Sequence, residues 1–218
     1  MSKMRQTLKI AIPKGYLLDS TTELLSNAGY DISCFSEDNR KLFLHSKADD
    51  IKYIITRPMD VPVYVESGAC DLGFVGKDVL LEVESNVFEL LDIKDGYCRI
   101  IIATKSDCIE KVKKHYEHFG AIKVATKYPN ITRKYFEKKG MQVEIIKLYG
   151  SVELAPILGI ADEIIDITAT GKTMAENDLV EMESVVESTT RLIANEVSYR
   201  VKNETIENFI NSLKKVIV

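Results

Sequence analysis

No long apolar run, no block of one charge and no paired cysteines occur in this sequence, and each absence removes a class of function. No stretch approaches the roughly 20 apolar residues that span a bilayer. Met1-Ser-Lys-Met-Arg-Gln-Thr leads straight into a strand pattern instead of a signal-peptide core. The 29 basic and 33 acidic residues are well mixed, for a formal net charge of -4, so the electrostatic footprint of nucleic-acid binding is missing. An anionic substrate therefore needs local cations, not a global field. Cys34, Cys70, Cys98 and Cys108 are scattered without a C-x-x-C pair, which fits reduced thiols better than a disulfide framework or a zinc site. The expectation is a soluble cytoplasmic protein. No G-x-x-x-x-G-K-[ST], G-x-S-x-G or H-E-x-x-H motif is present, so neither a Walker loop, a hydrolase elbow nor a zincin helix is indicated.

What is there is an alternation of short strand and helix patterns. The chain has 218 residues, 45% hydrophobic and 28% charged, with a mean hydropathy of -0.06, enough for one large domain or two small ones. Strand patterns at Leu8–Ile12, Lys52–Thr56, Cys70–Gly76, Val87–Leu91, Tyr97–Thr104, Ile122–Thr126, Gln142–Leu148, Ile164–Ile167 and Val180–Val186 are separated by helical or turn segments. This predicts an α/β protein with largely parallel sheets. Asp19 or Ser20 is the expected cap of the first helix, and amphipathic helices are expected over Ser188–Ser198 and Glu204–Val216. Breaks near Asp92–Gly96 and Lys172–Asp178 predict two crossings of the chain. The first domain is then discontinuous, residues 1–94 and 179–218, with 95–178 as the second domain carrying the phosphate loop. Ligands of such proteins bind in the interdomain cleft at the carboxyl ends of strands.

The stretch Glu163-Ile-Ile-Asp-Ile-Thr-Ala-Thr-Gly-Lys-Thr173 is the most informative. Three isoleucines make a buried strand end. A turn of hydroxyls follows, and Gly171 lets the backbone reverse tightly enough to bring N–H groups to an anion. A helix opening near Lys172 directs its positive end to the same spot. Asp166 repels a phosphate but accepts hydrogen bonds from a diol, so the pattern points to a ribose 5-phosphate. Ordinary loop material has the same composition.

Other groups carry less. Lys14 and Arg57 each follow a strand, and arginine's planar donor fork suits phosphate; alone, each is more often a surface cation. Asp71 and Asp78 bracket Leu-Gly-Phe-Val-Gly-Lys and could cap a helix or orient a nucleotide. Glu153, in Gly-Ser-Val-Glu with Ser151 at a helix start, reads equally as capping or as ligand binding. His115 and His118 lie on a lysine-rich run that looks like a solvated face, with no third metal ligand. Cys108 lacks a nearby base.

Taken together, these segments resemble the ATP phosphoribosyltransferases of histidine biosynthesis. The resemblance runs through Pro13-Lys-Gly15, Arg57 to Glu66, Asp71 to Asp78, Val124 to Asn130, Tyr149 to Pro156, Asp166 to Thr173 and Arg191 to Asn195, nearly the whole chain. At this length it resembles the short form, which lacks a C-terminal regulatory domain. The resemblance implies two α/β domains like the type II periplasmic binding proteins and transfer of the phosphoribosyl group of phosphoribosyl pyrophosphate to N1 of ATP. It implies Mg2+ carried with the substrate phosphates, and no metal ligands from the protein. It further implies a histidyl-tRNA-synthetase-like regulatory subunit, with homodimers of this chain inside a hetero-octamer. Lys14 and Arg57 become the catalytic cations. Thr168, Ala169, Thr170, Gly171, Lys172 and Thr173 become the 5-phosphate cradle, Asp166 the ribose acceptor, and Asp71 and Glu153 substrate-positioning groups. Many members have arginine where this chain has Tyr16. The rivals are a solute-binding protein of the same plan, which would need export, and the sensor domain of a transcription regulator, which would need a helix-turn-helix module.

Overall fold

The computed structural model describes residues 6–35, 41–110, 112, 114 and 121–217. The candidate histidine pair, His115 and His118, lies outside the described residues. The chain forms two compact units, Met1–Gly96 with Thr189–Val218, and Tyr97–Ser188. Among the described residues no helix is long and apolar enough to cross a membrane.

The first unit is built on a six-stranded sheet in the order β2-β3-β1-β4-β11-β5. Its strands are β1 Leu8–Pro13, β2 Phe43–Ser46, β3 Ile51–Thr56, β4 Leu72–Gly76, β5 Phe88–Asp92 and β11 Thr190–Ala194. β1 runs parallel to β3 and β4, whereas β2, β5 and β11 pair antiparallel. The sheet is thus mixed, not largely parallel: two edge strands and the returning β11 come from hairpin-like and long-range pairings that local periodicity does not distinguish from crossovers.

The central strands are apolar on both faces because both faces are covered. Ile10, Ile12, Leu72, Phe74 and Leu192 turn to one side, where Leu25, Phe209, Ile210 and Leu213 pack on them. Ala11, Val75 and Ile193 turn to the other, against Val61 and Val65. Period-two alternation sorts these neighbours. Gly73 is required on that second face: a Cβ there would meet Val61 Cγ1 and Val65 Cγ2 at 2.8 Å.

The expected helix over Ser188–Ser198 is β11 followed by helix α7, Glu196–Val201. Thr190 to Ala194 fill the gap between β4 and β5, and burial in a sheet interior overrides the amphipathic pattern of a short apolar run. Asn195 separates the two elements. Its Oδ1 accepts the N–H groups of Val197 and Ser198 at 3.0 and 2.9 Å, capping the helix. Its Nδ2 donates to Val65 O and Glu66 O at 3.0 and 3.2 Å. The first helix also begins earlier than expected, at Tyr16, behind Gly15 at φ 85°. Neither Asp19 nor Ser20 caps it.

The second unit has a five-stranded sheet in the order β10-β6-β9-β7-β8: β6 Cys98–Lys105, β7 Ala121–Thr126, β8 Gln142–Lys147, β9 Glu163–Thr168 and β10 Leu179–Ser188. β7 is parallel to β8 and β9, and β6 is antiparallel to β9 and β10. Ile101, Ala103, Ala125, Val152, Ala155, Ile164, Met174 and Leu179 form a buried core on this sheet. The second crossing falls at Ser188/Thr189, not at residue 178/179. β10 pairs with β6 from Leu179↔Lys105 to Ser188↔Cys98, so its backbone groups are satisfied by this sheet and it belongs to the second unit.

Candidate active site

The carboxyl end of β9 carries the threonine turn. Thr168, buried as the last strand residue, accepts the Gly171 N–H on Oγ1 at 2.8 Å. That bond closes the turn, and Gly171 at φ 76° reverses the chain where a side chain would be strained. Helix α6, Lys172–Glu176, then begins, held down by buried Met174. Ala169, Thr170 and Thr173 are exposed on the turn. The Lys172 side chain is turned to solvent, with Nζ 3.8 Å from Glu176 Oε1 one helical turn on.

Asp166 is half-buried beside this turn, its Oδ1 accepting the Ile167 N–H at 2.8 Å. Burial pushes its carboxyl above the ordinary carboxylate value, and the charge of Glu153 adds to that; the Ile167 N–H and Lys127 oppose it. The two acids therefore lie near enough for their charges to repel. The capping box read around Glu153 does not form. Ser151 lies at φ 47°, its backbone carbonyl takes the Leu154 N–H, and no side chain caps α5, Leu154–Ile157. Glu153 is left for electrostatic work.

In the first unit, the structure brings Lys14 and Arg57 together. β1 and β3 run side by side with Pro13 level with Thr56, and the Lys14 N–H donates to Thr56 O at 2.8 Å. The next residue on each strand is thus a cation, both exposed. Pro58 holds Arg57 extended, at φ -73° and ψ 147°. Neither side chain has an ion-pair partner among the described residues, so two positive charges sit adjacent and uncompensated at one sheet edge. Such a pair favours a polyanion.

Asp71 is not with them. It precedes β4 at the amino edge of the sheet, one step before the Ile10↔Leu72 register, and therefore beside Lys9. Its carboxylate accepts the Lys9 N–H at 2.9 Å, the Ser198 hydroxyl at 2.7 Å and the Lys202 ammonium at 2.8 Å. At 5% exposure it is an internal anchor and not a substrate-positioning group. Nothing local marks this burial, because its side-chain partners Ser198 and Lys202 lie more than a hundred residues away in the chain. Asp78, by contrast, is buried in the first turn of α3, Lys77–Val83.

Comparison with known proteins gives the family of the chain. The family model described as HisG, ATP phosphoribosyltransferase, matches residues 57–215. The chain belongs to the ATP phosphoribosyltransferase family. An ATP phosphoribosyltransferase of Geobacter metallireducens is 45% identical over 212 residues, 97% of this chain and 99% of that one. That of Halalkalibacterium halodurans is 45% identical over 210 residues, 96% of each. These lengths fit the short form of the family. Among solved structures, the ATP phosphoribosyl transferase (HisG:HisZ) complex from Thermotoga maritima is similar with a TM-score of 0.81 and 37% identity, over 97% of this chain and 98% of that one. Tv2483 bound to L-arginine is similar with a TM-score of 0.62 at 13% identity, over 98% of this chain and 87% of that one. At that identity it speaks to the fold alone, which is periplasmic-binding-protein-like. Tyr16, on which the resemblance departs from the family pattern, is 71% exposed.

Proposed function

We propose that this chain transfers the 5-phosphoribosyl group of phosphoribosyl pyrophosphate to N1 of ATP, the first step of histidine biosynthesis. The observation that carries the reading is the turn of Thr168 to Thr173 closing beside Asp166 on one strand end, in a chain of this family. The turn takes the 5-phosphate and Asp166 accepts the ribose hydroxyls. The adenine N1 lone pair attacks C1, and the C1–O bond breaks with its electron pair leaving on pyrophosphate. Charge grows on that leaving group, and Lys14 and Arg57 are the cations that stabilise it. N1 is already a nucleophile, so orientation and leaving-group stabilisation supply most of the acceleration, with no covalent protein intermediate.

Mg2+ belongs to the substrate in this reading. Mg2+ is commonly held by substrate phosphates together with one or two carboxylates. Bound there, it would offset the charge of the departing pyrophosphate. The Thermotoga maritima complex supports a HisZ-like regulatory partner for this chain; homodimers of this chain inside a hetero-octamer, in the cytoplasm, are part of the proposal.

A pyrophosphate-release assay with ATP and phosphoribosyl pyrophosphate, run with and without the regulatory subunit, tests the proposal. Release that requires both substrates supports it. No release under either condition overturns it and returns the solute-binding reading. Asp166→Asn should raise the dissociation constant for phosphoribosyl pyrophosphate far more than that for ATP; equal weakening of both would make the acid structural.

A further inference from the structure

We infer that Lys127 is a positioning residue of the phosphoribosyl site: it stands beside Asp166 at the carboxyl edge of the second sheet and keeps that carboxylate an ionised acceptor for the ribose hydroxyls. The inference rests on the phosphoribosyl reading of the turn given above.

The placement comes from the sheet. β7 and β9 are parallel neighbours with Thr126 level with Ile165, so the next residues, Lys127 and Asp166, leave the two strands side by side. The backbone around Lys127 is fixed on both sides. Thr126 Oγ1 donates to Ile165 O at 2.7 Å and accepts the Tyr128 N–H at 2.8 Å. Tyr128 O takes the Thr132 hydroxyl at 2.7 Å, and Pro129 opens helix α4, Pro129–Lys138. Thr126, Tyr128 and Thr132 are all buried. The anchored neighbours fix the direction in which the Lys127 side chain leaves the backbone, and Lys127 is half-buried. It has no hydrogen bond or ion pair among the described residues, so its charge is not committed to another partner.

The charges around Asp166 then decide what Lys127 does. Glu153 faces it from the start of α5, and Lys127 faces it from the end of β7. Across β6, Asp166 is level with Ile101, which is apolar. Lys172, the lysine within the turn, is directed at Glu176 instead. Burial and Glu153 both favour the protonated acid; the Ile167 N–H opposes them most, and Lys127 is the side-chain cation that adds to that opposition. A protonated carboxyl presents a donor where two ribose hydroxyls need acceptors. Lys127 therefore extends the pH range over which Asp166 can bind substrate downward.

The test separates the electrostatic claim from the functional one. The side-chain carboxyl carbon of Asp166, assigned by its loss in Asp166→Asn, is titrated by NMR in the free full chain. The midpoint should move to higher pH in Lys127→Met, stay near its original position in Lys127→Arg, and move to lower pH in Glu153→Gln. The acidic limb of kcat/KM for phosphoribosyl pyrophosphate, measured with the regulatory subunit present, should move in the same direction as the midpoint in each variant, because that limb reports groups of the free enzyme. An unmoved midpoint in Lys127→Met overturns the inference whatever the enzyme's substrate. A midpoint that moves while the kinetic limb does not would also overturn it, and would place the fault in the phosphoribosyl reading of Asp166. The arginine variant controls for loss of packing by the aliphatic stem.

Discussion

The Lys202 ammonium lies 2.8 Å from Asp71 Oδ2 and also donates to Thr7 O at 2.7 Å. It joins the C-terminal helices to the amino edge of the first sheet. Lys9, level with Asp71, stands five residues before Lys14, about 17 Å along an extended strand. The anchor and the exposed cation pair thus occupy opposite ends of the same strands. Asp71→Ala should lower unfolding stability by about 2–4 kcal/mol, since it strands a partly buried ammonium and two donors. Thermal or urea unfolding measures this. The KM values for both substrates should not change; a raised KM at unchanged stability would return Asp71 to the substrate.

Arg57→Ala should behave in the reverse way. The side chain is exposed and unpaired among the described residues, so stability should stay within about 0.5 kcal/mol. Removing one donor aimed at a developing charge should lower kcat by about tenfold or more. Steady-state kinetics at saturating substrates decides the matter, and an unchanged kcat removes Arg57 from the mechanism.

Gly96 closes the first segment of the first unit at φ 67°. A Cβ there would stand 2.6 Å from Thr190 Oγ1 and 2.7 Å from Leu17 Cδ2. Gly96→Ala combines a left-handed backbone with overpacking, and should cost about 1–3 kcal/mol. A melting temperature equal to that of the parent would show that the segment rearranges freely.

Asp92 gives the first unit an acid-sensitive anchor. Burial acts against its charged form, but the Lys94 N–H, the Thr189 hydroxyl and Arg191 outweigh burial and hold its carboxyl below the ordinary value. A depressed folded-state value means that the stabilisation is complete above the unfolded-state value and is lost as pH falls through the folded one. Stability should therefore decline below about pH 5, and Asp92→Asn should be less stable at neutral pH with a flatter acid limb. Chemical denaturation across that range is the measurement; parallel curves for the two proteins would exclude the role.

How much could be read in advance depended on distance along the chain. The turn from Asp166 to Thr173 was legible because its causes are local: a β-branched strand end, a hydroxyl three residues before a glycine, and a glycine that accepts positive φ. Lys14 and Arg57 were legible as strand-end cations, since each is followed or preceded by a residue that stops a strand. Asp71 was misread because its partners, Ser198 and Lys202, lie more than a hundred residues away. Thr190 to Ala194 were misread because an apolar run of that length satisfies helix and strand periodicity alike. Lys127 lay within a segment of the resemblance but was given no role; it gains one only when β7 is laid against β9.

By itself, then, the sequence determined the alternating α/β pattern, the family resemblance and the chemistry of the threonine turn, all properties of short-range geometry and residue type. The tertiary structure decided which strands pair, which distant partners each charge meets, and where the chain crosses back. Those follow from burying apolar faces and satisfying backbone groups between segments far apart in the chain. Such pairings gave β10 to the second sheet, set Asp71 away from Lys14 and Arg57, and put Lys127 beside Asp166.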